Sequence, residues 1–218
     1  MNSSAEENYL KALLALSYPS GEVNVKDLSA HLGIKMPTVT RMMKKLSDKS
    51  LVHYESYKPL RLTELGKKTA GLIVRKHRLT EMFLVQQMGF GWEEVHDIAE
   101  QIEHLKSPVF FEKMDALLGF PTIDPHGSPI PDKNGSMTWP AYQKLCECKA
   151  ADQVVLHAVM NTSSEFLKFL NSRELHLGTQ MTVISVEPFD GTMVLRYEPR
   201  NEETLSQLVC ANLLVEKI

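Results

Sequence analysis

Residues 25–62 read VKDLSAHLGIKMPTVTRMMKKLSDKSLVHYESYKPLRL, and this stretch decides the architecture of the N-terminal third. Residues 25–32 have the spacing of a short helix stopped by Gly33. A second helix opens at Met36-Pro37, where proline near the first turn forfeits no needed hydrogen bond, and runs to about Ser50. Two short alternating stretches follow, Leu51 to Glu55 and Leu60 to Leu62, joined by the turn-forming Ser56-Tyr57-Lys58-Pro59. Helix, glycine turn, helix and hairpin is the order of a winged helix-turn-helix.

In that arrangement the second helix enters the major groove. From Lys35 to Lys49 it carries Lys35, Arg41, Lys44, Lys45 and Lys49 against the single acid Asp48. Pro37, Thr38 and Thr40 stand at its N-terminal end, where base contacts concentrate, and Arg41 can donate two hydrogen bonds to guanine. Tyr57, Lys58 and Arg61 on the hairpin suit phosphate and minor-groove contact. The charge distribution agrees. The net −3 of the 218 residues divides into 11 bases and 7 acids in residues 1–70 and 13 bases and 20 acids in the rest. A +4 head on a −7 body is expected of a nucleic-acid reader joined to something else.

Outward from the head, residues 4–18 form an expected first helix, with Ser4 and Glu7 at capping-box spacing and Pro19-Ser20-Gly21 as its end. Residues 63–88 form a long helix stopped by Gly89, 92–105 another, and Ser107-Pro108 opens one to about Leu118. Residues 119–138 are a Pro- and Gly-rich connection without apolar period. Alternating stretches at 153–160, 181–187, 192–198 and 213–218, with a helix at 163–171, indicate a small β-rich domain. No internal repeat is apparent. The expected class is therefore mainly α with a smaller β part.

Two helices carry metal-ligand chemistry. His77 and Glu81 are an i,i+4 pair on the long helix. On the next, His96, Glu100, Glu103 and His104 form a stripe about 100° wide at 100° per residue. Apolar neighbours overlap that face, and buried unpaired carboxylates are costly unless a cation offsets them. Imidazole with carboxylate suits Mn²⁺, Fe²⁺, Co²⁺, Ni²⁺ or Zn²⁺, and the oxygen donors tilt the set towards Mn²⁺ or Fe²⁺. A solvated face of helix ion pairs such as Glu103 with Lys106 is the plainer alternative.

Cys146, Cys148 and Cys210 are too few for a disulfide framework, and the CxC pair is read as two incidental thiols. The acidic N-terminus lacks the features of a signal peptide, and no apolar run approaches a membrane span, so the expectation is a soluble, cytoplasmic protein without membrane contact. Enzymatic motifs such as GxSxG, the P-loop, GxGxxG and HExxH do not occur, and a di-iron site wants a second Glu-x-x-His helix that this chain lacks, so the expectation is a non-enzyme.

Taken together, the head sequence LSAHLGIKMPTVTRMMKKLSDKSLVHYESYKPLRLTELGKK, the helix RKHRLTEMFL, the segment EEVHDIAEQIEHLKSP and the connection PHGSPIP at 125–131 resemble the diphtheria toxin repressor family of bacterial metal-dependent regulators. FLKFLNSRELHLG resembles the family's SH3-like domain. The resemblance implies three domains: a winged helix-turn-helix at 1–71, a helical metal-binding and dimerisation domain at 72–140, and an SH3-like (FeoA-like) domain at 141–218. It implies one metal site from His77, Glu81 and His96, completed by Glu165, and another from Glu100, Glu103 and His104, closed by Asn8. It also implies a homodimeric repressor that binds palindromic operator DNA of metal-uptake genes when Mn²⁺ is bound, with Fe²⁺ as the alternative and Zn²⁺, Co²⁺ or Ni²⁺ as substitutes in vitro. Glu100 stands where iron-responsive members have Cys, and Lys11 stands where manganese-responsive members place an acid. A winged-helix regulator that senses an organic ligand through its C-terminal domain, with the His/Glu stripe structural, is the second reading.

Overall fold

The computed structural model describes residues 2–18 and 20–218, so Pro19, part of the expected stop of the first helix, lies outside the described residues. The chain divides into two compact units, residues 1–80, 99–122 and 130–138 in one and 81–98, 123–129 and 139–218 in the other.

The first unit opens with α1 (Ser4–Ser17), α2 (Val25–Leu32), α3 (Met36–Asp48) and the hairpin β1 (Val52–His53) and β2 (Arg61–Leu62). The capping box lies one residue earlier than its sequence spacing suggested. Ser3 Oγ accepts from Glu6 N, and the Glu6 carboxylate accepts from Ser3 N at 2.7 Å. Gly33 ends α2 at φ 64°. Leu10, Leu13, Leu28, Val39, Met43, Leu46 and Leu60 are fully buried in one core. Each stabilises the unit by about 1.5–3 kcal/mol relative to exposure. Val52 pairs with Leu62 across the hairpin, which fixes the wing beside that core.

The long helix α4 (Glu64–Met88) runs unbroken through both units. α5 (His96–Ile102) is shorter than the expected 92–105, with residues 92–94 forming a turn and Glu103 and His104 lying in the turn beyond its end. Beyond the end of α5, Lys76 Nζ donates to the carbonyls of Glu103 and Leu105 at 3.3 Å each. α6 (Pro108–Leu117) turns Val109, Phe110 and Leu117 outward.

The second unit is built on a six-stranded antiparallel sheet. β3 (Gln143–Lys144), β4 (Gln153–Val159), β5 (Gln180–Val186), β6 (Met193–Tyr197), β7 (Arg200–Leu205) and β8 (Leu213–Lys217) lie in the order β3-β8-β4-β5-β6-β7. α7 (Ser164–Asn171) and the short α8 (Gln207–Cys210) complete it. β7 escaped the alternation pattern because RNEETL is an edge strand with a largely exposed face.

The connection after α6 holds two copies of one loop, contrary to the expectation of no repeat. In Asp124-Pro-His-Gly-Ser128 and Asp132-Lys-Asn-Gly-Ser136 the aspartate Oδ1 accepts from the backbone N–H groups two and four residues on. Asp N also bonds Ser O in both, at 2.9 and 2.8 Å. The first loop presses on β4, where a Cβ at Gly127 (φ 86°) would sit 2.1 Å from His157 O. The second presses on α4, where a Cβ at Gly71 would sit 1.9 Å from Gly135 O.

Candidate functional site

In the first unit, α1, α4 and α5 bring a dense set of ligand-type groups together. Glu103 is fully buried; its Oε2 lies 2.6 Å from His77 Nδ1, and its two oxygens accept from Lys11 Nζ at 2.9 Å each. Lys11 also pairs with Glu100. His77, Glu100 and Glu103 each offer a donor atom within 4.8 Å of the others. His104 Nδ1 lies 2.7 Å from Glu7 Oε2, which fixes the tautomer with Nε2 turned towards Glu103 Oε1 at 3.7 Å. Burial resists ionisation of Glu7, but Lys106 and His104 outweigh it and hold its pKa below the usual carboxylate range.

These residues fit a divalent cation. Asn8 Oδ1, one turn before Lys11 on α1, is buried without a hydrogen-bond partner. The donor set is oxygen and imidazole nitrogen throughout, as hard or borderline ions prefer.

In the second unit, Glu81, Asp124 and His126 are buried, with donor atoms within 4.8 Å of one another. His126 Nε2 bonds the Trp92 carbonyl at 2.9 Å, which turns Nδ1 towards Glu81 Oε2 at 3.8 Å. The imidazole stacks on the Trp92 ring, centroids 5.9 Å apart. His96 Nδ1 approaches Glu81 Oε1 at 3.5 Å from a more exposed position. Burial lowers the His126 pKa, but Glu81 and Asp124 raise it by more, so its pKa ends above the ordinary value. Glu165 is exposed in the first turn of α7 and belongs to none of the three-residue clusters found among the described residues.

Asp124 and His126 were not singled out from sequence, and neither was Glu7. For the first two a signal existed in the doubled D-x-x-G-S pattern, in which His126 and Asn134 occupy the same place.

The face of α3 is open. Lys35, Pro37, Thr38, Arg41, Lys44 and Lys45 are exposed and Thr40 is half-buried. Tyr57 projects fully at the wing tip with φ 65°, beside exposed Lys58 and Arg61. Arg61 Nε donates to Glu22 at 2.9 Å. Glu6 reaches α3 from α1, with Lys49 at 2.7 Å and Lys45 at 3.3 Å. Burial opposes its ionisation, yet Lys49, the Ser3 N–H and Lys45 hold its pKa down at about 2. Consecutive residues of α1 thus face α3 (Glu6) and the metal-type cluster (Glu7). Among the described residues no helix is long and apolar enough to cross a membrane.

Known proteins share this organisation. The description "Iron dependent repressor, N-terminal DNA binding domain" matches residues 1–60, "Iron dependent repressor, metal binding and dimerisation domain" matches 63–132, and "FeoA domain" matches 143–217. The chain is 34% identical over 129 residues to the iron-dependent repressor IdeR of Mycobacterium tuberculosis, a match covering 57% of this chain and 54% of IdeR. It therefore spans about half the length of that curated relative. Identity to the transcriptional regulator MntR of Bacillus pumilus is 32% over 120 residues, covering 55% of this chain and 83% of MntR. A solved manganese-dependent transcriptional repressor in complex with manganese superposes with a TM-score of 0.88 at 30% identity, over 98% of this chain and 100% of the other. With a helix-turn-helix head, a His/Glu cluster and a terminal antiparallel sheet matched in order, the chain belongs to the iron-dependent, or diphtheria toxin, repressor family of metal-dependent transcriptional regulators.

Proposed function

We propose that the protein is a homodimeric repressor that binds palindromic operator DNA when it carries a divalent metal ion, with Mn²⁺ preferred over Fe²⁺, and that it acts on metal-uptake genes in the cytoplasm. The observation that carries the reading is the convergence of His77, Glu100 and the fully buried Glu103 within 4.8 Å of one another, in a unit whose α1 also pairs with α3 through Glu6. The domain boundaries follow as 1–71, 72–140 and 141–218.

Asn8, Glu100, Glu103 and His104 hold the ion in the first unit, with His77 beside them and Glu7 orienting His104. Glu81, His96, Asp124 and His126 hold one in the second unit. These residues would hold a divalent ion, whose charge would offset that of their carboxylates. The carboxylate of Glu100, in place of a thiolate, supports Mn²⁺ over Fe²⁺.

Lys11 and Glu7 join α1 to Glu100 of α5 and to Glu103 and His104 in the turn after it, and Glu6 joins α1 to Lys45 of α3 and to Lys49 at its end. Residues on one rigid helix thereby couple ligand binding to the stance of the reading helix, so the ion favours the DNA-competent population. Arg41, Thr38 and Thr40 read base edges; Lys35, Lys44, Lys45, Tyr57, Lys58 and Arg61 contact backbone, and Pro37 sets the start of the helix. Exposed Val109, Phe110 and Leu117 of α6 supply an apolar face for a second copy. Two-fold symmetry then demands a palindrome.

A gel-shift titration on upstream DNA, with Mn²⁺ or with chelator, tests the reading. Tight, sequence-selective retention only with metal is expected. Equal retention in chelator overturns metal activation and leaves the organic-ligand sensor as the better account.

A further inference from the structure

Lys11 is one turn beyond Asn8 on α1, and it reaches into the heart of the first cluster. Its Nζ bridges both oxygens of Glu103 at 2.9 Å and also donates to Glu100. His77 Nδ1 also faces both acids, at 2.6 Å from Glu103 Oε2 and 4.0 Å from Glu100 Oε1, but an imidazole is charged only when protonated. Glu103 has no exposure to solvent, and a buried carboxylate is tolerable only when a cation or several donors compensate it. Lys11 does this without any ion. Lys106 does the same for Glu7, and Lys76 caps the carbonyls of Glu103 and Leu105. Three carboxylates, Glu7, Glu100 and Glu103, thus stand among three ammonium groups.

The geometry points to Lys11 as a tethered cation that occupies one of the cation positions of this cluster. The consequence is that the cluster admits one divalent ion, where an acidic side chain at position 11 would admit two. This rests on the metal-centre reading given above. A metal ion and an ammonium group cannot both use the same carboxylate lone pairs, and a doubly charged ion held close to an ammonium is repelled by it. The entering ion must therefore take Glu103 and Glu100 from Lys11 or share them at reduced affinity. Lys11 thereby sets three properties of this chain: the number of ions, the concentration at which the first binds, and the stability of the metal-free cluster. In the metal-free protein it keeps α1 fastened to the turn after α5, so the ligand frame stands ready before an ion arrives.

The test compares wild type, Lys11→Met, Lys11→Arg and Lys11→Glu by calorimetric titration with Mn²⁺ and by melting of the metal-free proteins. Lys11→Met keeps the aliphatic length and removes the charge. It should bind Mn²⁺ at least about tenfold more tightly and melt several degrees lower without metal. Lys11→Arg keeps the charge and should stay close to wild type in both. Lys11→Glu should bind one more ion per chain than wild type, and folding only in the presence of Mn²⁺ would also support the assignment. If wild type binds Mn²⁺ and Lys11→Met matches it in affinity and melting, the tethered-cation role is overturned while the metal centre stands. A Lys11→Glu variant with the wild-type ion count overturns the one-ion limit. If none of the four proteins binds Mn²⁺, the metal-centre reading falls and this inference falls with it.

Discussion

Glu103 in the first unit and Glu81 in the second are both buried carboxylates, yet the cations that face them differ in kind. Glu103 meets an ammonium group, Lys11, as well as the imidazole of His77. Glu81 faces two imidazoles, His96 at 3.5 Å and His126 at 3.8 Å. An ammonium carries its charge throughout the physiological range, whereas an imidazole carries it only when protonated. The first cluster is therefore compensated by the protein itself. In the second, the imidazoles that face Glu81 contribute charge only when protonated. Similar residue types in two places thus give one site with an ammonium group across its buried carboxylate and one in which imidazoles face it.

The largest expected effect breaks that comparison at its strongest point. Glu103→Ala strands Lys11 and His77 and should cost about 3–5 kcal/mol in the metal-free protein, read by urea denaturation. Glu81→Ala should cost clearly less under the same conditions, and equal losses would erase the distinction between the clusters. Next come the imidazoles. His104→Ala and His126→Ala should each weaken Mn²⁺ binding at their own cluster by about 10–100-fold and leave the other intact, seen as loss of one of two phases in a calorimetric titration. A single variant that abolished both phases would mean that the two clusters are one.

Arg41→Ala sharpens the comparison from outside, since it touches neither cluster. Its Mn²⁺ isotherm should match wild type, while discrimination between operator and random DNA falls by about 1–3 kcal/mol in an anisotropy competition. An equal loss on both DNAs makes Arg41 a phosphate contact instead. Smallest is Lys58→Ala on the wing, which should lower the salt-dependence slope of DNA binding by about 1 with no change in sequence preference.

The head was legible in sequence because its signals are local. Gly33 closes α2 in a left-handed conformation, Pro37 lies in the first turn of α3, and Leu28, Val39, Met43 and Leu46 repeat with helical period into one core. Metal-type residues on α4 and α5 were legible for the same reason. Periodicity overran at the C-terminal end of α5, where Glu103 and His104 lie in a turn and the carbonyls of Glu103 and Leu105 accept from Lys76 instead of continuing the helix. β7 went unseen because an edge strand with one face in water need not alternate. Asp124 and His126 went unseen because no helical or strand period marks a loop ligand.

Sequence alone determined the types of group available: a basic helix in the head, imidazoles and carboxylates without thiolates, and a lysine one turn beyond Asn8. Those are properties of side chains and of spacing along one element. Only the tertiary structure decided which groups meet. It brought His77 to Glu103, set His126 and Asp124 beside Glu81, and placed the Lys11 ammonium across the Glu103 carboxylate. The physical reason is that burial removes water as a partner, so each buried charge must be answered by whatever group the packing of separate segments delivers to it.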